Sequence, residues 1–364
     1  MEKTMQKPTV TIIVTVYNIE QYLDRFFENL NQQSVQDFEV LIIEDGSQDN
    51  SLAVCRKYAA KDSRIRIVPV EHIGISAARN IALDQIDTEF VTSLDGDDIF
   101  DKDYLKHLLD AQKKYDADYV ISNVIFLSEK HEELKRFFPR KEGFYSEEEL
   151  FQIIPELLME DRLNYLYGKL YRGALLKGIK VEEDVRQGSD TMINMQYCLK
   201  IRSLAVIEDY DYCNIKYISR SVTSYNGDDY FFRLYRINRY VRDLMEQNGK
   251  LDEKMLFATD GRVLDSGRIS VNRIAYTKAP FEEKCASASK IIQSEEYRES
   301  YIRQEQKGNL GDYHFTLIVP GKEREYMRQR CDMIAQIKKE KKHDELRKHI
   351  PDFLLRVYHK IRNR

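Results

Sequence analysis

Hydrophobic positions in the first hundred residues switch repeatedly between two patterns. The run TVTIIVTVY (9–17) is continuous and β-branched, and FEVLIIED (38–45), RIRIVPV (64–70) and EFVTSLD (89–95) resemble it in length and composition. Such runs predict buried strands. Between them, YLDRFFENLNQQS (22–34) puts Leu23, Phe26, Phe27 and Leu30 at helical spacing, and SLAVCRKYAAKD (51–62) and SAARNIALDQI (76–86) read as two further helices. Asp49 or Ser51 can cap the second helix. Strands separated by helices of this length predict an α/β fold, a Rossmann-like and mostly parallel sheet with helices on both faces. Ligands of such sheets bind beyond the carboxyl ends of the strands.

Further along, the pattern predicts a helix over 104–118, a fifth strand within ADYVISNVIFLS (117–128) and a helical stretch over 146–162. A turn-rich loop then leads into a helix that starts near Asp190. SLAVIED (203–209) and YCNIKYIS (212–219) read as short strands. Beyond Asp228 the text is mainly helical and more charged, with a break around NLGDYHFTLIVPGK (309–322). This pattern predicts two domains, 1–225 and 226–364.

Composition narrows the function classes. The chain has 364 residues, is 42% apolar and 32% charged, and carries a net charge of -4, which weighs against a surface devoted to nucleic acid. The five cysteines are odd in number and far apart, so they suggest neither a disulfide framework nor a zinc knuckle, and a reducing, cytoplasmic setting is expected. The apolar run near the N-terminus is too short and too β-branched for a signal peptide, and no stretch is long and apolar enough to span a bilayer.

Polar clusters fall at the predicted carboxyl ends of the strands. Tyr17 and Asn18 follow the first, Glu44, Asp45 and Gly46 the second, and Asp95, Asp97 and Asp98 the fourth. Three carboxylates within four residues repel one another unless a cation lies among them, and an all-oxygen ligand set favours Mg²⁺ or Mn²⁺ over zinc. Asp97 and Asp98 are the expected ligands. Gly96 lets the backbone approach a ligand closely. Standing alone, DGDD could also be a capped turn or part of a calcium loop, although the ligand spacing of an EF-hand is absent. Asp45 can accept from an N–H pair on a base or cap the following helix. Arg79 can reach a phosphate or pair with Asp45 or Asp95.

Four motifs in order give these residues a family. Thr15-Val16-Tyr17-Asn18, Asp45-Gly46-Ser47-Gln48-Asp49, Gly74 through Asn80, and Asp95-Gly96-Asp97-Asp98 resemble the P-V-Y-N, D-G-S-x-D, G-x-S-x-A-R-N and D-x-D-D elements of family 2 glycosyltransferases, which have the GT-A fold. Thr15 stands in the usual proline position and Glu44 where Asn or Asp is common. The resemblance covers about residues 8–225. It implies a nucleotide-sugar site formed by Thr15, Tyr17, Asn18, Asp45, Arg79, Asp95, Gly96 and Asp97, with Mn²⁺ or Mg²⁺ held at the acidic motif.

The same resemblance implies a catalytic base after Lys169-Leu170-Tyr171-Arg172. Glu183-Asp184 matches the family's E-D pair literally, but the family's spacing points to Ser189-Asp190 at the entry of the next helix, so Asp190 is the expected base. YISRSVTS resembles an element that closes the site, with Arg220 as the expected diphosphate contact beside Ser221 and Thr223. The implied reaction is an inverting transfer from a nucleotide-sugar donor, with UDP the expected nucleotide, to a saccharide or lipid-linked glycan in cell-surface polysaccharide synthesis. The alternative is a non-catalytic sugar-nucleotide or glycan-binding module. The last 27 residues hold ten Lys/Arg against four Asp/Glu, and Phe353, Leu354, Val357 and Ile361 follow Pro351 at near-helical spacing. Such a tail suits either an anionic membrane surface, at the inner face of the plasma membrane, or a packing contact in a homo-oligomer.

Overall fold

The structure is a computed structural model that describes residues 7–136, 142–209, 211–216, 229–313 and 316–348. The chain divides into two compact units, Met1–Ser224 with Arg236–Thr259, and Tyr225–Tyr235 with Asp260–Arg364.

The first unit opens with β1 (Val10–Val16), α1 (Glu20–Asn31), β2 (Phe38–Asp45), α2 (Ser51–Ala59), β3 (Ile65–Val70), α3 (Ile75–Asp84) and β4 (Phe90–Ser93). It continues with β5 (Ile99–Phe100), α4 (Tyr104–Tyr115), β6 (Tyr119–Ile121), β7 (Val124–Ser128), β8 (Glu133–Arg136), β9 (Gly143–Ser146) and α5 (Leu150–Met159). The last elements are β10 (Lys169–Arg172), α6 (Gly173–Leu176), α7 (Ser189–Cys198), β11 (Ser203–Val206) and β12 (Tyr212–Lys216). The large sheet has the order β3-β2-β1-β4-β10-β6-β11-β9, and a smaller one runs β5-β12-β7-β8. β1 pairs in parallel with both β2 and β4, so the chain reverses its direction of travel across the sheet beside β1. That reversal opens the crevice where a doubly wound sheet binds its ligand.

Strand alternation sorts the core into two layers. Ile12, Val14, Val40 and Ile42 point toward α1, where Leu23, Phe26, Phe27 and Leu30 are buried. Ile13, Leu41 and Ile43 point the other way, onto Ala78 and Ala82 of α3 and the apolar faces of α5 and α7. Both faces of the central strands are therefore covered, which is why their sequences are continuously apolar rather than alternating.

The structure departs from the sequence expectation in three ways. The fifth strand is two strands in different sheets, because Ser122 and Asn123 interrupt it. The Ser122 amide donates to the Gly168 carbonyl (2.9 Å), and the Asn123 side chain donates to the carbonyls of Ile207 (3.2 Å) and Glu208 (3.0 Å). Lys169–Arg172, expected within a loop, is a strand, antiparallel to β4 and β6, whose Leu170 and Tyr171 feed opposite core layers. β5, β8 and β9 are short strands that the pattern does not announce.

Helices α8 (Asp229–Gln247) and α9 (Glu253–Tyr276) contribute to both units. The second unit also contains α10 (Phe281–Ile292), α11 (Glu295–Gln306), a 3-10 turn at Asn309–Asp312 and α12 (Glu323–Lys348). Tyr297 is central to it. The Tyr297 hydroxyl donates to the Ile318 carbonyl (2.9 Å), and a Cβ on Gly267 would lie 2.5 Å from the Tyr297 ring. Asp260 is buried against Arg303 (2.9 Å) and Gln304 (2.7 Å). Among the described residues, no helix is long and apolar enough to cross a membrane.

Candidate active site

The loops after β1 and β2 are stitched together by their own polar side chains. Asn18 adopts φ 53°, its amide donates to Ser47 Oγ (3.0 Å), and its Oδ1 accepts from the Gln48 amide (2.7 Å). Buried Glu44 accepts from the Ser47 amide (2.8 Å), and Ser51 Oγ accepts from the Ile19 amide (2.9 Å). Asn18, expected to touch the donor, thus has its side-chain oxygen committed to the framework. Thr15 is half-buried within β1, opposite Ile43 of β2.

Asp45 ends β2 and is buried, yet both of its oxygens face the loop before α3. Oδ1 accepts from the Ile73 amide (2.7 Å), Oδ2 accepts from the Gly74 amide (3.1 Å), and His72 Nδ1 lies 3.1 Å from Oδ2. The carboxylate therefore fastens the entry of α3 rather than capping α2. Gly46 makes this approach sterically feasible: its φ is 66°, and a Cβ there would meet the His72 nitrogen at 2.6 Å. The His72 ring stacks on Tyr17 with centroids 4.1 Å apart. Tyr17, 38% exposed, forms an open aromatic wall of the crevice.

The acidic motif separates into two roles. Asp98, expected as a metal ligand, is buried and held by β12 instead. Its Oδ2 accepts from the Tyr212 hydroxyl (2.7 Å) and Asn214 Nδ2 (2.8 Å), and its Oδ1 accepts from the Ile215 amide (2.7 Å). Burial drives the Asp98 carboxyl well above the usual carboxylate range, and the charges of Asp95 and Asp97 push the same way. Asp95 and Asp97 are half-buried, so of the three acidic residues these two keep access to solvent. The Asp95 amide donates to the Tyr212 hydroxyl (3.1 Å), and the Asp97 carbonyl accepts from Arg25 (2.6 Å). Gly96 has a packing reason to lack a side chain, since a Cβ would lie 2.7 Å from Ile19 Cδ1. Two adjacent carboxylates on a backbone fixed in this way fit a hard divalent cation completed by water and phosphate.

At the start of α7, Gly188 takes φ 91° and leads into Ser189 and Asp190. Arg79 of α3 reaches them, with Nη1 donating to Ser189 Oγ (2.7 Å) and forming an ion pair with Asp190 Oδ1. Arg79, expected at a phosphate or beside Asp45 or Asp95, therefore holds Asp190. The competing acids lie elsewhere: Glu183 is exposed, and Asp184 pairs with Arg236 and has a side chain 70% exposed. Arg220, Ser221 and Thr223 lie outside the described residues.

The seat of α7 is a buried polar network. Asn194 Oδ1 accepts from the hydroxyls of Tyr119 and Tyr171, both at 2.8 Å, while its Nδ2 donates to the carbonyls of Leu163 (3.0 Å) and Tyr165 (2.9 Å). Lys169 is fully buried, donates to the Tyr167 carbonyl (3.1 Å) and lies over the Tyr165 ring. Burial lowers its pKa well below the ordinary lysine range, against the pull of Asp190. Sequence reasoning missed His72, Asn194 and the Tyr212–Asn214 clasp. The abundance of tyrosine was the one visible signal.

Residues 11–162 match the family described as Glycosyl transferase family 2. That stretch runs from β1 through β4 and the acidic motif to α5. This N-terminal stretch is similar to glycosyl transferase family 2. Similar proteins include "Glycosyltransferase GlyA" of Streptococcus pneumoniae serotype 4, 30% identical over 52% of this chain and 28% of that protein. "Cholesterol galactosyltransferase" of Borreliella burgdorferi is 27% identical over 59% of this chain and 62% of its own length. The chain thus spans less than two thirds of either relative. The structure of S. aureus TarS in complex with UDP-GlcNAc superimposes with a TM-score of 0.55 at 20% identity, covering 86% of this chain and 95% of that one. At that identity the likeness is one of fold. The fold is accordingly of the GT-A kind, a large sheet flanked by helices, with a helical C-terminal region following in the chain.

Proposed function

We propose that the chain is an inverting, metal-dependent glycosyltransferase that moves a sugar from a nucleoside-diphosphate donor, UDP-linked, to a hydroxyl of a saccharide or lipid-linked glycan. One observation carries this reading most directly. Arg79, which holds Asp190, lines one cavity together with Ser93, the last residue of β4 before the acidic motif, so the motif and the candidate base border one region. The likeness of residues 11–162 to glycosyl transferase family 2 and a TarS-like fold support the donor class.

In this reading Asp95 and Asp97 would hold Mn²⁺ or Mg²⁺, which when bound offsets charge on the donor diphosphate. Tyr17 offers its exposed ring as a stacking wall for the base, and the loop fixed by Asp45 shapes the floor beside it. Arg79 occupies Oδ1 of Asp190, so Oδ2 is the oxygen presented to the acceptor hydroxyl. That hydroxyl attacks the anomeric carbon from the face opposite the leaving diphosphate, and its proton passes to Asp190 late, because a carboxylate is a weak base toward an alcohol. Residues 1–225 would carry the chemistry, with Arg220 as a diphosphate contact, and 226–364 would serve acceptor, membrane or oligomer contacts in a cytoplasmic enzyme peripheral to the plasma membrane.

A panel of UDP-sugars with Mn²⁺, with and without excess chelator, tests the reading. Release of UDP from at least one donor that stops with chelator is the expected result. Saturable UDP binding without release from any donor would instead favour a binding module.

A further inference from the structure

Outside the crevice, one cluster combines an imidazole with carboxylates from a different chain segment. His107 sits in the first turn of α4, and its Nδ1 lies 2.7 Å from Asp211 Oδ2 and 3.9 Å from Asp209 Oδ1. All three ligand atoms lie within 4.8 Å of one another. A metal bound at about 2.1 Å holds tetrahedral ligand atoms about 3.4 Å apart, so the observed separations bracket that spacing.

The scaffold around the group is fixed. The Asp101 amide donates to the Asp211 carbonyl (2.8 Å), and the Asn123 amide donates to the Asp209 carbonyl (3.0 Å). Electrostatics leave the group short of positive charge. Asp211 is largely buried, its side chain 15% exposed. Neighbouring Lys106 is engaged by Asp110 (2.6 Å). His107 alone, even when protonated, cannot balance two carboxylates. Asp209, with its side chain 46% exposed, leaves a path from solvent.

We propose that His107, Asp209 and Asp211 form a second divalent-metal site, separate from the acidic motif and suited to Zn²⁺. Mixed nitrogen and oxygen donors distinguish it chemically from the all-oxygen Asp95–Asp97 pair, and three protein ligands leave a position for water. Binding requires His107 Nδ1 without its proton, so the ion displaces that proton to solvent. The site would act through the fold. Asp211 immediately precedes β12, whose Tyr212, Asn214 and Ile215 hold Asp98, and β12 pairs with β5 through Tyr212 and Cys213. An ion joining α4 to the head of β12 would therefore brace the support of the acidic motif.

The test uses the full chain carrying Asp97→Asn, which weakens the acidic motif as a competing site, stripped with chelator and titrated with Zn²⁺ against a chromophoric competitor. His107→Gln and Asp209→Asn are compared in that background, the second being a change at an exposed position compatible with folding. The expected result is one saturable Zn²⁺ per chain in the parent, affinity at least about tenfold weaker in each variant, and a Zn²⁺-dependent rise in melting temperature confined to the parent. No saturable binding by the parent, or unchanged affinity in either variant, overturns the site. Because the readout is ion binding, the outcome is independent of sugar transfer.

Discussion

Arg79 contacts Ser189 and Asp190 and is the residue whose observed partner most changes the account of the site. If it positions the base, Arg79→Gln should lower turnover by about tenfold or more while leaving UDP affinity nearly unchanged. Steady-state kinetics and calorimetric UDP binding would check this. Weakened UDP binding with turnover preserved would return Arg79 to the donor phosphates. Lys169 gives a pH signature. Its folded-state pKa is lowered by burial, so the unfolded chain binds the extra proton up to about 10.4, and stability rises with pH between the lowered value and that limit. Lys169→Met has no proton to exchange, so subtracting its urea-denaturation profile from that of the wild type should expose a positive slope below pH 10. Parallel profiles would contradict the assignment. Thiol chemistry offers a simpler check, because burial pushes Cys55 and Cys198 up to about 12. Iodoacetamide near neutral pH should label half-buried Cys213 and Cys331 first, as read by peptide mass spectrometry.

At the scale of elements, α7 depends on Asn194. Asn194→Ala would strip the acceptor from two buried tyrosine hydroxyls and the donor from two carbonyls, at a cost of about 3 kcal/mol or more in unfolding free energy. A loss below about 1 kcal/mol in chemical denaturation would mean that the network contributes little. The first four strands and three helices were legible in the sequence, the strands as continuous runs rich in β-branched residues and the helices as apolar positions at helical spacing. So was the location of the polar clusters, since strand ends in a parallel sheet must converge. The remainder depended on distant partners. Nothing local in ISNV foretells that Asn123 will bond the carbonyls of Ile207 and Glu208 and split one strand into two. Asp98 looked like its acidic neighbours, and only the arrival of β12 more than a hundred residues later separates its role from theirs. Likewise the short β10 becomes a strand because β4 and β6 flank it.

On the scale of the whole molecule, a stretch similar to glycosyl transferase family 2 shares its chain with a basic C-terminal tail. Attraction of that tail to an anionic leaflet should weaken as salt rises, since exposed charges are screened over about 8 Å at physiological ionic strength. Full chain and a truncation before Ile350 would be sedimented with anionic and neutral vesicles. Salt-sensitive binding lost on truncation is expected, and equal, negligible sedimentation of both would leave the tail as a packing or oligomer contact. The central claim is that one chain binds a nucleotide sugar at the acidic motif and uses Asp190 to activate the acceptor. Asp190→Asn, assayed with the donor selected from the UDP-sugar panel, addresses it most directly. Transfer should fall by about 10²–10⁴-fold while UDP affinity stays close to that of the wild type. An active Asp190→Asn beside an inactive Asp184→Asn would contradict the account.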